Sequence, residues 1–250
     1  MSEAEALLAL LDDPDPALRR TLVRQLLDDA ELRERVWTAS AGRPLPTALC
    51  ETMVQADALD LVEEWGSAED LEEGWPLLAR LQVPRTDPRP ACSSALDALA
   101  TRAPRGDAGA VARWLCEDCG FAGDREAFDD PRNSQLADAL ERRAGLPIAV
   151  TGIWLLTCRR LGLQARALAL PAHVFAAWEG GAWDCFSGTA VSSEDLDRWA
   201  RAHGAASAEP YLAGADDREL LQRMARNLTA AYARRGELVR AAVASLLARS

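Results

Sequence analysis

A predominantly helical α+β fold is predicted by three observations on this 250-residue chain. One segment, GLPIAVTGIWLLTCRRLGL, is apolar nearly all round; three short apolar or alternating runs follow it directly; periodic amphipathic stretches lie before and after both. A helix buried on every side, followed by a small antiparallel sheet, makes a layered core. The flanking stretches add a helical N-terminal extension and a C-terminal helical hairpin. With 49% hydrophobic residues, the chain has ample apolar content for such a core without help from metal or disulfides.

Taken in order, LLALLDDPDPALRRTLVRQLL spaces Leu and Val at three- and four-residue intervals around a DPDP turn, which predicts two amphipathic helices meeting at a tight corner. Further helices are expected at 46 to 65 and 68 to 80, before a proline-rich break, VPRTDPRPA, at 83 to 91. Residues 93 to 119 read as two more, and one more is expected at 133 to 143 after the turn-rich FAGDREAFDDPRNS. In the buried helix Gly145 and Pro147 stand at the start, where proline suits a first turn, and Gly162 stands at the end as a C-cap. QARALAL, HVFAAW and AWDCF, punctuated by Pro171 and Gly180-Gly181, predict three strands. A helix at 193 to 203 follows, and residues 216 to 249 show two periodic helices joined at Arg235-Gly236. These breaks divide the chain into a helical-repeat-like region, 1 to 90, a central domain, 91 to 205, and a hairpin, 206 to 250.

Charge narrows the function classes. The formal net charge is -11, and no dense arginine cluster stands out, so no nucleic-acid partner and no anionic membrane surface are expected. Arginine supplies every basic residue; with no lysine in the chain, lysine chemistry is excluded. MSEAEALLALLDDPD has neither a basic n-region nor a small-residue cleavage site, and no apolar run approaches about 18 residues, so a soluble, cytoplasmic protein is expected. In a reducing compartment the six cysteines are expected to be thiols. Cys116-Glu-Asp-Cys119 is the one CxxC pair, and neither His173, His203 nor the other thiols stand at a spacing that completes a zinc site. No metal and no cofactor are expected.

His173, after Pro171, is expected at the start of a strand, and Asp184 lies in the next one. Antiparallel pairing then brings an imidazole and a carboxylate together, a geometry that orients a base. The alternative is a partly buried histidine satisfied by a backbone carbonyl. A cysteine nucleophile of this kind is usually placed at a helix N-terminus, where the dipole lowers its pKa, yet Gly145-Leu146-Pro147-Ile148 offers no thiol, hydroxyl or carboxylate. Cys158 is about three turns further along the helix, and Cys185 is expected to point to the face opposite Asp184. Either is more often a small buried hydrophobe than a nucleophile.

The run FAGDREAFDDPRNSQLADALERRAGLPIAVTGIWLLTCRRLGLQARALALPAHVFAAW, then WDCFSG, EPYL and LLQRMARNLTAAYARRGELVRAAVASLLA, resembles the bacterial SirB-type family of transglutaminase-like proteins. The resemblance covers roughly residues 95 to 250 and implies a papain/transglutaminase-like core followed by a TPR-like segment. The wider superfamily uses a Cys-His-Asp triad, with the cysteine opening the central helix. By position, the resemblance implies that His173 and Asp184 are the histidine and the aspartate, while the cysteine position falls on Pro147, give or take a residue. The SirB-type family generally shares that proline-containing turn. Asp130, Asn133 and Arg142 belong to the family's strongest motif and are candidate binding residues, with Cys185 beside them as a candidate; alternatively Asp130 or Asn133 caps the following helix and Arg142 is solvated or salt-bridged. In the hairpin, Asn227, Leu228, Tyr232, Gly236, Ala241 and Ala248 sit at TPR-like offsets. One such unit either packs on the central domain or exposes a groove for a partner.

The leading expectation is a non-catalytic binding or regulatory module with an unidentified protein partner. The competing ones are a hydrolase, amidase or transamidase using His173 and Asp184 with water or with a relocated thiol such as Cys185, and an inert structural scaffold.

Overall fold

The computed structural model describes residues 3–250, so the first two residues of the acidic N-terminal reading lie outside it. Four helices come first: α1 (Glu3–Leu10), α2 (Pro16–Asp28), α3 (Ala30–Ala39) and α4 (Thr47–Ala56). The DPDP turn caps α2, with the Asp15 carboxylate accepting from the Ala17 amide and Pro16 at the first helical position. Asp29 caps α3 by accepting from the Leu32 amide. No helix is anticipated from the sequence at α3, because only Leu32 and Val36 of its ten residues are buried and its apolar stripe is too thin to stand out. Leu8, Leu22, Leu26, Val36, Leu49 and Met53 form a small core of their own.

The helix expected at 46 to 65 is two helices, with Asp57 as the corner between α4 and α5 (Ala58–Ser67). Then come α6 (Leu71–Leu77), which runs into a 3-10 turn at Leu78–Leu81, α7 (Arg89–Arg102), α8 (Ala108–Glu117), a 3-10 turn at Pro131–Ser134 and α9 (Leu136–Arg142). The apolar segment forms α10 (Pro147–Arg160), buried without interruption from Pro147 to Cys158. Its polar atoms are satisfied inside: Thr151 donates to the Val174 carbonyl at 3.2 Å and the Trp154 indole to the Ala108 carbonyl at 2.9 Å. At Gly152 the chain comes so close to Trp75 that an added Cβ would lie 2.9 Å from the indole.

Two sheets accompany α10. β1 (Ala122–Gly123) and β2 (Ala144–Gly145) form a parallel pair just before it, too short to announce itself in the sequence. Four strands, β3 (Arg166–Leu168), β4 (Phe175–Trp178), β5 (Gly181–Asp184) and β6 (Thr189–Val191), pair antiparallel in chain order, one more than expected. Strand alternation splits their side chains: Val174, Ala176 and Trp183 join the core around α10, whereas Leu168, Phe175 and Ala177 pack under α11 (Ser193–Ala202) with Leu196 and Ala200. His173 itself stands in the turn before β4, not at the start of a strand.

The C-terminal hairpin, α12 (Asp217–Arg234) and α13 (Leu238–Leu247), contributes Leu220, Leu221, Met224, Leu228 and Leu247 to the same core as α10. It also grips α5 and α6: the Trp65 indole donates to the Leu247 carbonyl at 2.9 Å, Arg218 to the Trp65 carbonyl at 2.9 Å, and the Leu71 amide to Asp217 at 2.9 Å. Arg159 at the end of α10 pairs with Asp217, and Arg160 with Glu72 and Asp97. Among the described residues no helix is long and apolar enough to cross a membrane, no group of three His, Cys, Asp or Glu side chains is placed to hold a metal ion, and the six cysteines are free thiols.

Candidate functional site

The turn Leu170 to His173 sets the imidazole. The His173 amide donates back to the Leu170 carbonyl at 3.2 Å, and Ala172 takes a φ of 62°, a left-handed conformation that costs a residue with a Cβ about 1 kcal/mol. Because β4 and β5 pair with Ala176 opposite Trp183, the turn before β4 comes over the end of β5, and His173 Nε2 lies 2.8 Å from Asp184 Oδ1. Oδ1 also accepts from the Phe186 amide at 2.9 Å, and Oδ2 from the Ser187 hydroxyl at 2.6 Å. Burial opposes the charge on Asp184, but the His173 imidazole together with these donors holds its carboxyl below the usual carboxylate range. No hydrogen-bond partner is found for His173 Nδ1 among the described residues.

Aromatic rings close around the pair. Phe175 lies 4.4 Å from the imidazole centroid, Trp199 4.9 Å and Phe186 6.0 Å. The Trp199 indole is fixed by donating to the Pro171 carbonyl at 2.9 Å. Phe186 lies flat against Gly123, where an added Cβ would come within 2.1 Å of its ring, so glycine is what lets the ring lie there. His173 is 6% exposed and, among the described residues, lines none of the cavities of about 270 to 440 Å³.

The first turn of α10 reads Pro147, Ile148, Ala149, Val150, preceded by Leu146, which has extended backbone and gives no side-chain cap. This turn presents hydrocarbon only. Cys185 is buried on the core side of the sheet. Its neighbour Cys116, whose thiol donates to the Cys185 carbonyl at 3.7 Å, and burial together push the Cys185 thiol well up. Burial pushes the Cys158 thiol up to about 12.

The other residues singled out from the sequence form a separate constellation. Asn133 is fully buried; its amide donates to the Ala127 carbonyl at 2.6 Å, and its carbonyl accepts from Arg142 at 3.0 Å. Arg142 also pairs with Asp124 at 2.6 Å. The Ala127 amide, then Arg142, hold the Asp124 carboxyl below the usual range. The backbone of Asn133 accepts from the Leu146 amide at 2.9 Å, which ties this network to the start of α10. Asp130 accepts from the Arg132 amide, opening the 3-10 turn, and pairs with the Arg132 guanidinium. Its side chain does not join the other two, but its carbonyl accepts from the Asn133 amide at 2.9 Å.

Sequence reasoning missed Phe186, Trp199 and Arg223. Arg223 of α12 donates to the His173 carbonyl at 3.1 Å, a contact across 50 residues that no local spacing announces.

In comparisons with known proteins, the family model described as the transglutaminase-like superfamily matches residues 85–226. A protein of Xylella fastidiosa strain Temecula1 named UPF0162 protein is 35% identical over 144 residues, covering 53% of this chain and 51% of the relative. One of the same name from Xylella fastidiosa strain 9a5c is 33% identical over 144 residues, and one from Vibrio cholerae serotype O1 is 30% identical over 99 residues, covering 38% of this chain and 37% of the relative. The chain spans about half the length, or less, of the curated relatives it matches. No solved structure matches.

Proposed function

The chain belongs to the transglutaminase-like superfamily, and within it we propose that it is a non-catalytic member of the SirB type, acting in the cytoplasm as a binding or regulatory module for a protein partner, with its C-terminal hairpin a TPR-like unit. One observation carries this reading: α10 opens on Pro147, and its first turn holds no thiol, hydroxyl or carboxylate. Acyl transfer through a thioester needs a nucleophile within reach of the base, and His173 has none from that turn.

His173 and Asp184 are then retained triad positions that tie the turn before β4 to the end of β5, an imidazole–carboxylate hydrogen bond being able to hold two strands together. Burial of His173 among three rings supports this over a water-dependent hydrolase, which needs an open pocket at the imidazole. The buried thiol of Cys185 gives little support to a relocated nucleophile. Asp130 is the motif residue proposed to face a ligand, since it lines a cavity of about 380 Å³ with Arg132 and Arg235.

The test is turnover. Purified protein is assayed for transamidase and peptidase activity with and without a thiol-alkylating reagent, beside Cys185→Ala. No thiol-dependent turnover is expected in either protein; turnover abolished by alkylation and by Cys185→Ala overturns the reading.

A further inference from the structure

A groove of about 440 Å³ lies behind the His173 turn, walled by Ala169, Leu170, Pro171 and Ala172 on one side and by α12 on the other. Arg223, Arg226 and Asn227 stand within four residues of one another on α12, so they share one face of the helix and reach the groove together. Arg223 is half-buried, and among the described residues its one hydrogen bond is to the uncharged His173 carbonyl. Among the described residues no carboxylate lies within ion-pair distance of Arg223 or Arg226, in contrast to Arg159 and Arg160 at the end of α10, which are each matched by an acid. Glu219, one turn earlier on α12, faces the same groove and leaves it with an excess of positive charge.

That excess stands out in a chain of formal net charge -11. Burial, and then the neighbouring Arg226, pull Arg223 below the usual arginine range, so the two guanidiniums act on one another as like charges that Glu219 offsets only in part. Such a pair is stabilised when an anion enters, and the planar fork of guanidinium matches carboxylate and phosphate oxygens in a two-point contact.

We propose that this groove binds an oxyanion, a carboxylate or a phosphate group, held between the guanidiniums of Arg223 and Arg226. The site goes beyond the binding-module reading and does not depend on it, since it uses neither Pro147 nor the Nε2 edge of His173. Through the bond from Arg223 to the His173 carbonyl, an occupant of the groove is linked to the backbone of the dyad histidine.

The test is isothermal titration of the full chain with inorganic phosphate and, separately, with malonate, against sodium chloride of equal ionic strength. Binding of either one by the unaltered protein, weakened about tenfold or more by Arg226→Gln, is expected; Arg226 is exposed, so that variant keeps its fold and its melting temperature. Phosphate alone binding identifies a phosphate site, and malonate alone a carboxylate site. Neither anion binding beyond the chloride control, or both binding equally well to Arg226→Gln, overturns the proposal.

Discussion

Two largely buried polar constellations lie beside α10, one bonded to its start through Asn133 and the other next to Val174, which accepts from Thr151, and they differ in how completely they are satisfied. In the Asp124, Asn133 and Arg142 network, both polar groups of the Asn133 side chain are bonded, and the partners are loop backbone or one another. In the His173–Asp184 pair, Asp184 is fully engaged, yet among the described residues the imidazole uses only Nε2 and the arginine behind it has no ion-pair partner, and the turn carries a left-handed alanine. Complete satisfaction marks a network that holds a loop in place. Open valence at Nδ1 and local strain mark a turn held by a single imidazole–carboxylate bond rather than by a closed network.

The largest expected effect comes from breaking the satisfied network. Asn133→Ala removes one of the acceptors of Arg142, which keeps Asp124, and one of the donors to the Ala127 carbonyl, which keeps the Asp130 amide. A loss of about 3 kcal/mol is expected, read as a lower denaturation midpoint at unchanged slope; a loss below about 1 kcal/mol means that the loop can resatisfy itself. Next comes Gly123→Ala, whose new methyl collides with the Phe186 ring. A cost of about 2 kcal/mol is expected, together with faster chemical modification of His173 as the ring moves away.

Asp184→Asn is expected to cost about 1 to 2 kcal/mol at neutral pH. The sign of its pH dependence follows from the depressed carboxyl: folding stabilises the charged form, so the contribution is fully present above the unfolded carboxylate value of about 3.9 and fades as pH falls through the lower folded value. The stability gap between the two proteins therefore narrows in acid, as urea titrations at several pH values measure. The smallest effect is a gain. Ala172→Gly relieves the left-handed strain at the cost of a freer unfolded chain, and about 0.5 kcal/mol of added stability is expected; a loss instead means that the turn is not strained.

Much of the fold is legible in the residues. The apolar run with Pro147 and Gly162 at its ends predicts α10, and the alternation in HVFAAW and AWDCF predicts two strands of the sheet, because burial on all sides and burial on one side leave different periods. α3 escapes because its buried stripe is only two residues wide, and β6 because all three of its residues are exposed or half-buried. Of the site, the approach of His173 to Asp184 follows from antiparallel pairing. Arg223 and Arg226 do not stand out, since charged residues on an amphipathic helix read as a solvated face. The contact of Phe186 with Gly123 spans 63 positions, and nothing local signals it.

With two histidines in the chain, the closure of the dyad has a direct measurement. Limited acylation by diethylpyrocarbonate at neutral pH, followed by peptide mass spectrometry, compares His173, 6% exposed, with His203, which is exposed at the end of α11. A sealed dyad predicts that His203 is modified at least about tenfold faster and that His173 reacts only as the site opens. Modification of His173 at the rate of His203 contradicts the closed site and returns the pair to service as a base.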